Sequence, residues 1–376
     1  MRLLVLGAGR MGTAIAFDLA RAVGKDSVEV VDSDAGRARA VGEALGVKWQ
    51  AADLRDRAAL DKILAGATVA VSASDYSLNE ELTRACIRSK THFCDLGGNN
   101  TIVKAQLALD AEAKAAGITV IPDCGLAPGL AGLLAARGVE RLAKPERVRM
   151  RVGGLPAHPK PPLDYSLVFS VRGLTNEYLE RSEVIRDGKL VQVESMTEVE
   201  ALSFPAPYQL LEAFHTSGGA STLTSTLLGK VKELDYKTIR YPGHVKIVKA
   251  LIDLGFLSEA PIEAGGVSVV PREFTEAMFT RSLSHGDDDV ILVRVEVEGE
   301  GERITYELVD RKDVETGHSS MMRTTGYPTA VIALFMANGT ITKRGVIPGE
   351  HCVPVDELVK QLIARGIKID VRFEQN

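Results

Sequence analysis

The chain opens on an unbroken apolar run, Leu3-Leu4-Val5-Leu6. Gly7-Ala8-Gly9-Arg10-Met11-Gly12 comes next, then alanine, isoleucine and leucine at helical period. A short continuous apolar run predicts a strand buried on both faces, and the period after it predicts a helix packed on that strand. The alternation continues through strand Val28–Val31, a helix from about 34 through 45, strand 47–51, a helix over 56–65 and strand Thr68–Val71. A helix over 78–89, strand His92–Cys94, a helix over 102–116 and strand Ile118–Ile121 complete the series. Six strands alternating with helices predict a doubly wound parallel sheet.

Near Arg147 the rhythm stops. Arg149–Val152 reads as a strand, and His158-Pro159-Lys160-Pro161-Pro162 is too rich in proline for a helix or central strand. Asp187-Gly188 lies between two short alternating runs and predicts a hairpin; a second is expected between Val290–Glu298 and Arg303–Asp310. This middle region predicts an α+β domain on a mostly antiparallel sheet. A nearly continuous apolar stretch, Tyr327–Met336, then predicts a helix from near Ser319 to Asn338-Gly339, followed by a helix over 355–365 and a strand over 367–371. The expected division is 1–125 plus 320–376 for a discontinuous first domain and 126–319 for the second.

The glycines give the first domain its chemistry. Strand, G-x-G-x-x-G and helix, in that order, make the Rossmann dinucleotide fingerprint. Gly7 permits the turn, Gly9 admits a pyrophosphate, and Gly12 lets helix and strand approach, with Arg10 and Met11 at the helix start facing the phosphates. Asp32 ends the second strand, twenty residues beyond Gly12. A carboxylate there accepts from ribose hydroxyls and repels a 2′-phosphate, so NAD is expected; Arg37 keeps NADP open. Asp53, Leu54, Ser72 and Ala73, at later strand ends, complete the expected cofactor contacts.

Composition narrows the partners. The chain has 376 residues and a net charge of −5 with no sustained basic run, which argues against nucleic acid. The absence of a leader or long apolar stretch, and four cysteines (Cys86, Cys94, Cys124, Cys352) without metal spacing, lead us to expect a cytoplasmic protein, off the membrane and without metal. Exposed edges of an antiparallel sheet favour a homo-oligomer, dimer or tetramer.

Four stretches carry polar residues beyond what folding needs. Asp95-Leu96-Gly97-Gly98-Asn99-Asn100 and Pro122-Asp123-Cys124-Gly125-Leu126-Ala127-Pro128-Gly129 sit at carboxyl ends of strands, where ligands bind in such sheets. Glu212 to Leu223 and Asp235 to His244 lie in the middle domain. The first two are also readable as turn chemistry, His215 as a loop histidine satisfied by backbone, and Tyr236, Thr238 and Arg240 as one exposed strand face.

Taken with the fingerprint, these stretches resemble the saccharopine dehydrogenase-like superfamily, and within it the bacterial L-lysine 6-dehydrogenases. Val152-Gly153-Gly154-Leu155-Pro156, Pro161-Pro162-Leu163-Asp164-Tyr165, Glu212 to Gly219, Tyr236 to Tyr241 and Ile341 to Val346 extend the similarity nearly end to end. Asn99-Asn100 and Asp164, where a Glu is expected, depart from the pattern. The resemblance implies NAD-dependent oxidative deamination of the lysine ε-amine to the 6-semialdehyde, which cyclises, with release of ammonia. A lysine amine, with pKa about 10.4, must lose a proton before hydride can leave. His215, Asp95, Asp123 and Glu212 are the candidate catalytic groups, His215 being preferred as the base that activates water. Tyr165, Thr216, Ser217, Arg240 and His244 are candidate substrate contacts. Arg240, or the backbone N–H groups of the Ser217-Gly218-Gly219 turn, is suited to a carboxylate. Lys343 and Arg344 are either a second anion clamp or solvated charges. Two alternatives stand beside this reading: a saccharopine-type or carboxyspermidine-type dehydrogenase acting on a secondary amine, and a catalytically silent NAD-binding sensor or structural module.

Overall fold

A computed structural model describes residues 1–375 apart from 284, 285 and 287. The chain forms two compact units, each assembled from separated segments. The first takes Met1–Glu140, Ser221–Thr226 and Met322–Ile369; the second takes Arg141–Ala220, Leu227–Met321 and the stretch from Asp370 onward.

The first unit is built on parallel strands β1 (Leu3–Leu6), β2 (Val28–Asp32), β3 (Lys48–Ala51), β4 (Val69–Ser72), β5 (His92–Asp95) and β6 (Thr119–Ile121), in the order β6-β5-β4-β1-β2-β3. Gly345–Val346 adds a seventh parallel strand beside β6. All four residues of β1 and of β4 are buried, as strands covered on both faces must be. Leu60, Leu64 and Leu82 from the flanking helices close over Leu4, Leu6, Ala70 and Phe93. The strand order reverses between β1 and β4, which places the carboxyl ends of β1, β4, β5 and β6 along one rim.

The second unit carries β7 (Pro145–Pro156), β8 (Ser182–Arg186), β9 (Lys189–Val193), β10 (Glu200–Leu202), β11 (Leu211–His215), β12 (Glu233–Arg240), a small hairpin of β13 (Ile262–Ala264) and β14 (Val267–Val269), β15 (Asp289–Gly299) and β16 (Glu302–Arg311). With Gly345–Val346 counted as β17, the chain's last strand is β18 (Asp370–Gln375). The main path runs β10-β11-β12-β7-β15-β16-β18, with the β8–β9 hairpin attached to β12. Pairing along this path is antiparallel except between β12 and β7, so the sheet is mixed. Cross-strand partners share a face, and His215 stands opposite Lys237 while Phe214 stands opposite Thr238 and Glu212 opposite Arg240. The face of Phe214, Thr238 and Arg240 packs with Leu163, Tyr165, Leu174, Tyr178 and Val248 in an aromatic core. The face of His215 and Lys237 carries ion pairs instead: Arg151 with Glu200 and Asp235, and Lys237 with Glu200.

Several sequence expectations shift. The helix expected over 102–116 is two, Asn100–Leu107 and Asp110–Ala116. The helix Leu130–Arg141, expected in the second domain, runs with the first unit up to Glu140; its Arg137 binds Asp356. The final strand, expected to return to the first domain, lies against β16 in the second sheet. Alternation such as Val371-Arg372-Phe373-Glu374 specifies a strand but not which sheet receives it. Both predicted hairpins are present, the first turning on Asp187 (φ 48°) and Gly188 (φ 72°).

Arg365 pins the late helix Val355–Ala364 to the first one, its Nε donating at 2.8 Å to both oxygens of the buried Asp18. Burial alone would drive that carboxyl neutral, and Arg365 opposes the shift. Removing one partner strands a buried charge. Arg365→Ala is therefore expected to cost about 3–5 kcal/mol in urea unfolding, with Asp18→Leu recovering most of it in the double variant.

Candidate active site

The glycine turn has the geometry that a dinucleotide needs. A Cβ on Gly7 would fall 2.6 Å from the Ala73 carbonyl oxygen, and one on Gly12 would fall 1.9 Å from the Gly7 carbonyl oxygen. Those two positions are closed by the protein itself. A Cβ on Gly9 would meet nothing within 4 Å. Gly9 therefore leaves room for a bulky group to approach the backbone at the start of the helix Arg10–Val23, where positive dipole density collects. Gly7, Gly9, Asp32, Asp53, Leu54 and Ala73 line a cavity of about 290 Å³ here. Gly12 and Ser72 are not among its lining residues, and Arg10 and Met11 begin the helix. Asp32 holds the turn as well as facing the cavity: Oδ2 accepts from Ala8 N–H (2.7 Å) and Oδ1 from Asp34 N–H (2.8 Å). Arg37, also on the cavity wall, lies 3.4 Å from Asp32 Oδ1.

Farther along the same rim stand two carboxyl groups. Asp95 is fully buried at the end of β5; its Oδ1 accepts from Gly97 N–H (2.7 Å) and Asp123 N–H (3.3 Å), and its Oδ2 from Gln106 Nε2 (2.7 Å). It shapes the loops. Asp123 follows β6 in the left-handed region (φ 60°), a strained conformation for a non-glycine residue. Its Oδ2 accepts from Ser221 Oγ, itself at φ 41°, while Oδ1 is out of solvent and without a hydrogen-bond partner. Burial, with the nearby Asp95 charge, raises its pKa to about 8. Gly97 makes room for it, since a Cβ there would sit 1.8 Å from Asp123 Oδ1. Ser221, inside the polar stretch from Glu212 to Leu223 but not singled out there, arrives on the six-residue excursion Ser221–Thr226, where Thr222 and Thr226 also bind Glu350 at 2.7 and 2.9 Å. Its positive φ has no sequence signal.

The second unit gathers three of the expected substrate residues. The Arg240 guanidinium lies 4.6 Å over the Tyr165 ring, its Nε donates to Tyr178 Oη (3.3 Å) and its Nη1 to the Ile239 carbonyl (2.9 Å). His244 Nδ1 donates to the Leu163 carbonyl (3.1 Å), so its Nε2 accepts from Tyr178 Oη (3.0 Å). Burial beside Arg240 lowers its pKa to about 3, so His244 is a neutral link. Tyr165 Oη is buried without a hydrogen-bond partner. Glu177, whose carboxyl burial raises to about 7 against the pull of Arg240, joins the group unforeseen. Thr216 binds Thr238 (2.7 Å), and Ser217 N–H donates to the Glu177 carbonyl (3.1 Å). A buried guanidinium and an unpaired phenol suit a carboxylate.

Other expected roles are corrected. His215 is on the opposite face of the sheet from Arg240, fully buried, with Nε2 3.1 Å from Glu198 and Nδ1 3.3 Å from the Tyr236 carbonyl. Both ring nitrogens are engaged and burial lowers its pKa, which leaves neither nitrogen free to activate water. Glu212 caps a helix, accepting from Gly243 N–H (3.0 Å) and Val245 N–H (2.8 Å) at the start of His244–Asp253. Lys343 donates to the His351 carbonyl and Arg344 to Thr119 Oγ1 (3.0 Å), so both serve the Gly345–Val346 strand. Among the described residues no group of three or more His, Cys, Asp or Glu could hold a metal ion, and no helix is long and apolar enough to cross a membrane.

Residues 3–121 match the saccharopine dehydrogenase NADP binding domain, and residues 125–367 match the saccharopine dehydrogenase C-terminal domain. The chain belongs to the saccharopine dehydrogenase family. It is similar to the saccharopine dehydrogenase (NADP(+), L-glutamate-forming) of Saccharomyces cerevisiae, 26% identical over 435 aligned residues that cover 96% of each chain. The apo structure of saccharopine dehydrogenase (L-Glu forming) from the same yeast shares its fold, with a TM-score of 0.81 over 99% of both chains at 24% identity. So does homospermidine synthase from Legionella pneumophila in complex with NAD, with a TM-score of 0.72 over 99% of this chain and 91% of that one at 12% identity. Family membership and the open glycine turn together support a nicotinamide dinucleotide in the first unit.

The glycines separate fold from binding. Gly9→Ala is expected to melt within about 2 °C of the parent and to bind dinucleotide at least tenfold more weakly in a fluorescence titration, whereas Gly12→Ala loses stability first.

Proposed function

We propose that the protein is an NAD-dependent dehydrogenase that oxidises the ε-amine of L-lysine, releasing ammonia and the 6-semialdehyde. The observation that carries this reading is Asp123: a partner-free carboxyl oxygen, out of solvent on the rim that carries the glycine turn, with a pKa near neutrality. Before an amine can lose hydride from its carbon it must be neutral. Ionised Asp123 accepts that proton, and the Ser221 hydroxyl holds its other oxygen in place. The nicotinamide, when bound, accepts the hydride. Asp95 fixes the Asp123 backbone and is a positioning residue. Water then adds to the iminium carbon, and ammonia departs.

Below about 8 Asp123 is protonated and cannot accept, so kcat/KM for amine oxidation rises with pH and levels above that value. Asp123→Asn should remove this limb and lower turnover by about 100-fold or more. A carboxyl whose folded pKa lies above its unfolded value of 3.8 destabilises the fold as pH rises between the two values, so the same variant should be at least as stable at pH 8. An Asn variant with the parent's pH profile would remove Asp123 from the chemistry.

A second reading has a specific finding in its favour: the Saccharomyces cerevisiae relative is a saccharopine dehydrogenase, L-glutamate-forming. Saccharopine is a secondary amine with additional carboxylates, which call for additional cations. The internal engagement of Lys343 and Arg344 favours the smaller substrate. NADH production from lysine alone supports our reading; turnover of saccharopine with lysine inert reverses it.

For the cofactor we assign preference to NAD through Asp32, and assign tolerance of NADP to Arg37. Its side chain is more than half exposed and free to turn from Asp32 toward a 2′-phosphate. Arg37→Ala is expected to lower kcat/KM for NADP by about tenfold or more and to leave NAD within about twofold; equal losses with both would refute the assignment.

A further inference from the structure

One cation in the second unit has no counter-ion. Arg240 is 2% exposed, and the Tyr165 ring covers one face of its guanidinium. Nε donates to Tyr178 Oη and Nη1 to the Ile239 carbonyl. Among the described residues Nη2 has no hydrogen-bond partner, and no carboxylate is in contact with the guanidinium. A buried cation so placed is costly until an anion joins it. Tyr165 Oη, buried and without a partner, is a second donor for that anion.

Glu177 is the complementary feature. It lies on the helix Val171–Leu179, one residue before Tyr178, and its carbonyl accepts from Ser217 N–H in the glycine-hinged loop. Its carboxylate bonds to nothing among the described residues, and part of the residue is open to solvent. Of the charges around it, Arg240 pulls on it most strongly, and its own charge acts on the phenols of Tyr165, Tyr178 and Tyr236. Cation and carboxylate are thus near neighbours that do not pair.

We infer that Arg240, Tyr165 and Glu177 together hold the head group of an α-amino acid, its carboxylate on Arg240 and the Tyr165 hydroxyl and its α-ammonium on Glu177. The assignment rests on the reading of the substrate as an amino acid, and makes Glu177 the residue that selects one. An α-amino acid carries both charges on one carbon, so it calls for opposite charges side by side and not paired with each other. A plain carboxylate would leave Glu177 uncompensated, and a diamine would leave Arg240 so. Burial has raised Glu177 to about 7, and an ammonium beside it favours the ionised form.

Ligands that cannot react at the ε-carbon test the head-group site by itself. L-Norleucine has the head group and chain length of lysine without the second amine, and hexanoate lacks the α-amine as well. In calorimetric titrations of the full chain with NADH present, norleucine is expected to bind about tenfold or more tighter than hexanoate. Glu177→Gln should weaken norleucine by about tenfold or more and leave hexanoate within about twofold, which also reports an intact Arg240 site. Tyr165→Phe should weaken both ligands. Equal affinities of the parent for the two, or norleucine binding indifferent to Glu177→Gln, would overturn the assignment. A protein that binds norleucine through Glu177 yet forms no NADH from lysine keeps the head-group site and loses the reaction proposed above. Undiminished lysine oxidation by Glu177→Gln does the reverse.

Discussion

The Asp95 carboxylate is the constraint on which the first unit's chemistry hangs. Fully buried, it collects the N–H of Gly97, the N–H of Asp123 and the amide of Gln106. Burial raises its pKa, and the three donors oppose that shift. Those bonds fix two loops at once. They hold the glycine whose missing side chain makes room for Asp123, and they hold Asp123 itself in a conformation its Cβ resists. The strain is thus stored next to the group whose proton affinity the site uses, as functional sites commonly store it.

In the second unit a relay of hydrogen bonds does comparable work. Arg240 donates to Tyr178, Tyr178 to His244, and His244 to the Leu163 carbonyl. The direction is forced from the last link back, because a carbonyl only accepts. Burial and the neighbouring Arg240 charge keep the histidine neutral and leave the guanidinium, stacked on Tyr165, as the charged member of the relay. On the far side of the same strands, Arg151, Lys237 and His215 answer to carboxylates.

The parallel sheet, the glycine turn and the two hairpins were legible because each depends on local rules: apolar runs, backbone room, a two-residue turn. Tyr165, Arg240 and His244 were picked out, and they do meet. What the sequence hid is what depends on sidedness and on returns of the chain. His215 and Arg240 look like neighbours in composition, yet strand register sends them to opposite faces. Glu212 reads as a catalytic carboxylate until the helix start above it is seen. Ser221 lies inside the polar stretch from Glu212 to Leu223, yet nothing there singles it out, and Glu177 has no mark in its context; both are placed by long-range packing. The final strand shows the same limit, because alternation names a strand without naming its neighbours.

The threading of the chain bears on how it can be made. A ribosome delivers residues in order, and the dinucleotide-binding sheet gains its outermost strand only with Gly345–Val346, and its Asp18 counter-ion only with Arg365. The serine that steadies Asp123 arrives midway, on a six-residue detour out of the second unit. The second unit must likewise wait for β18, which follows all its other strands. The nascent chain passes through a long stage in which half-built sheet edges need protection.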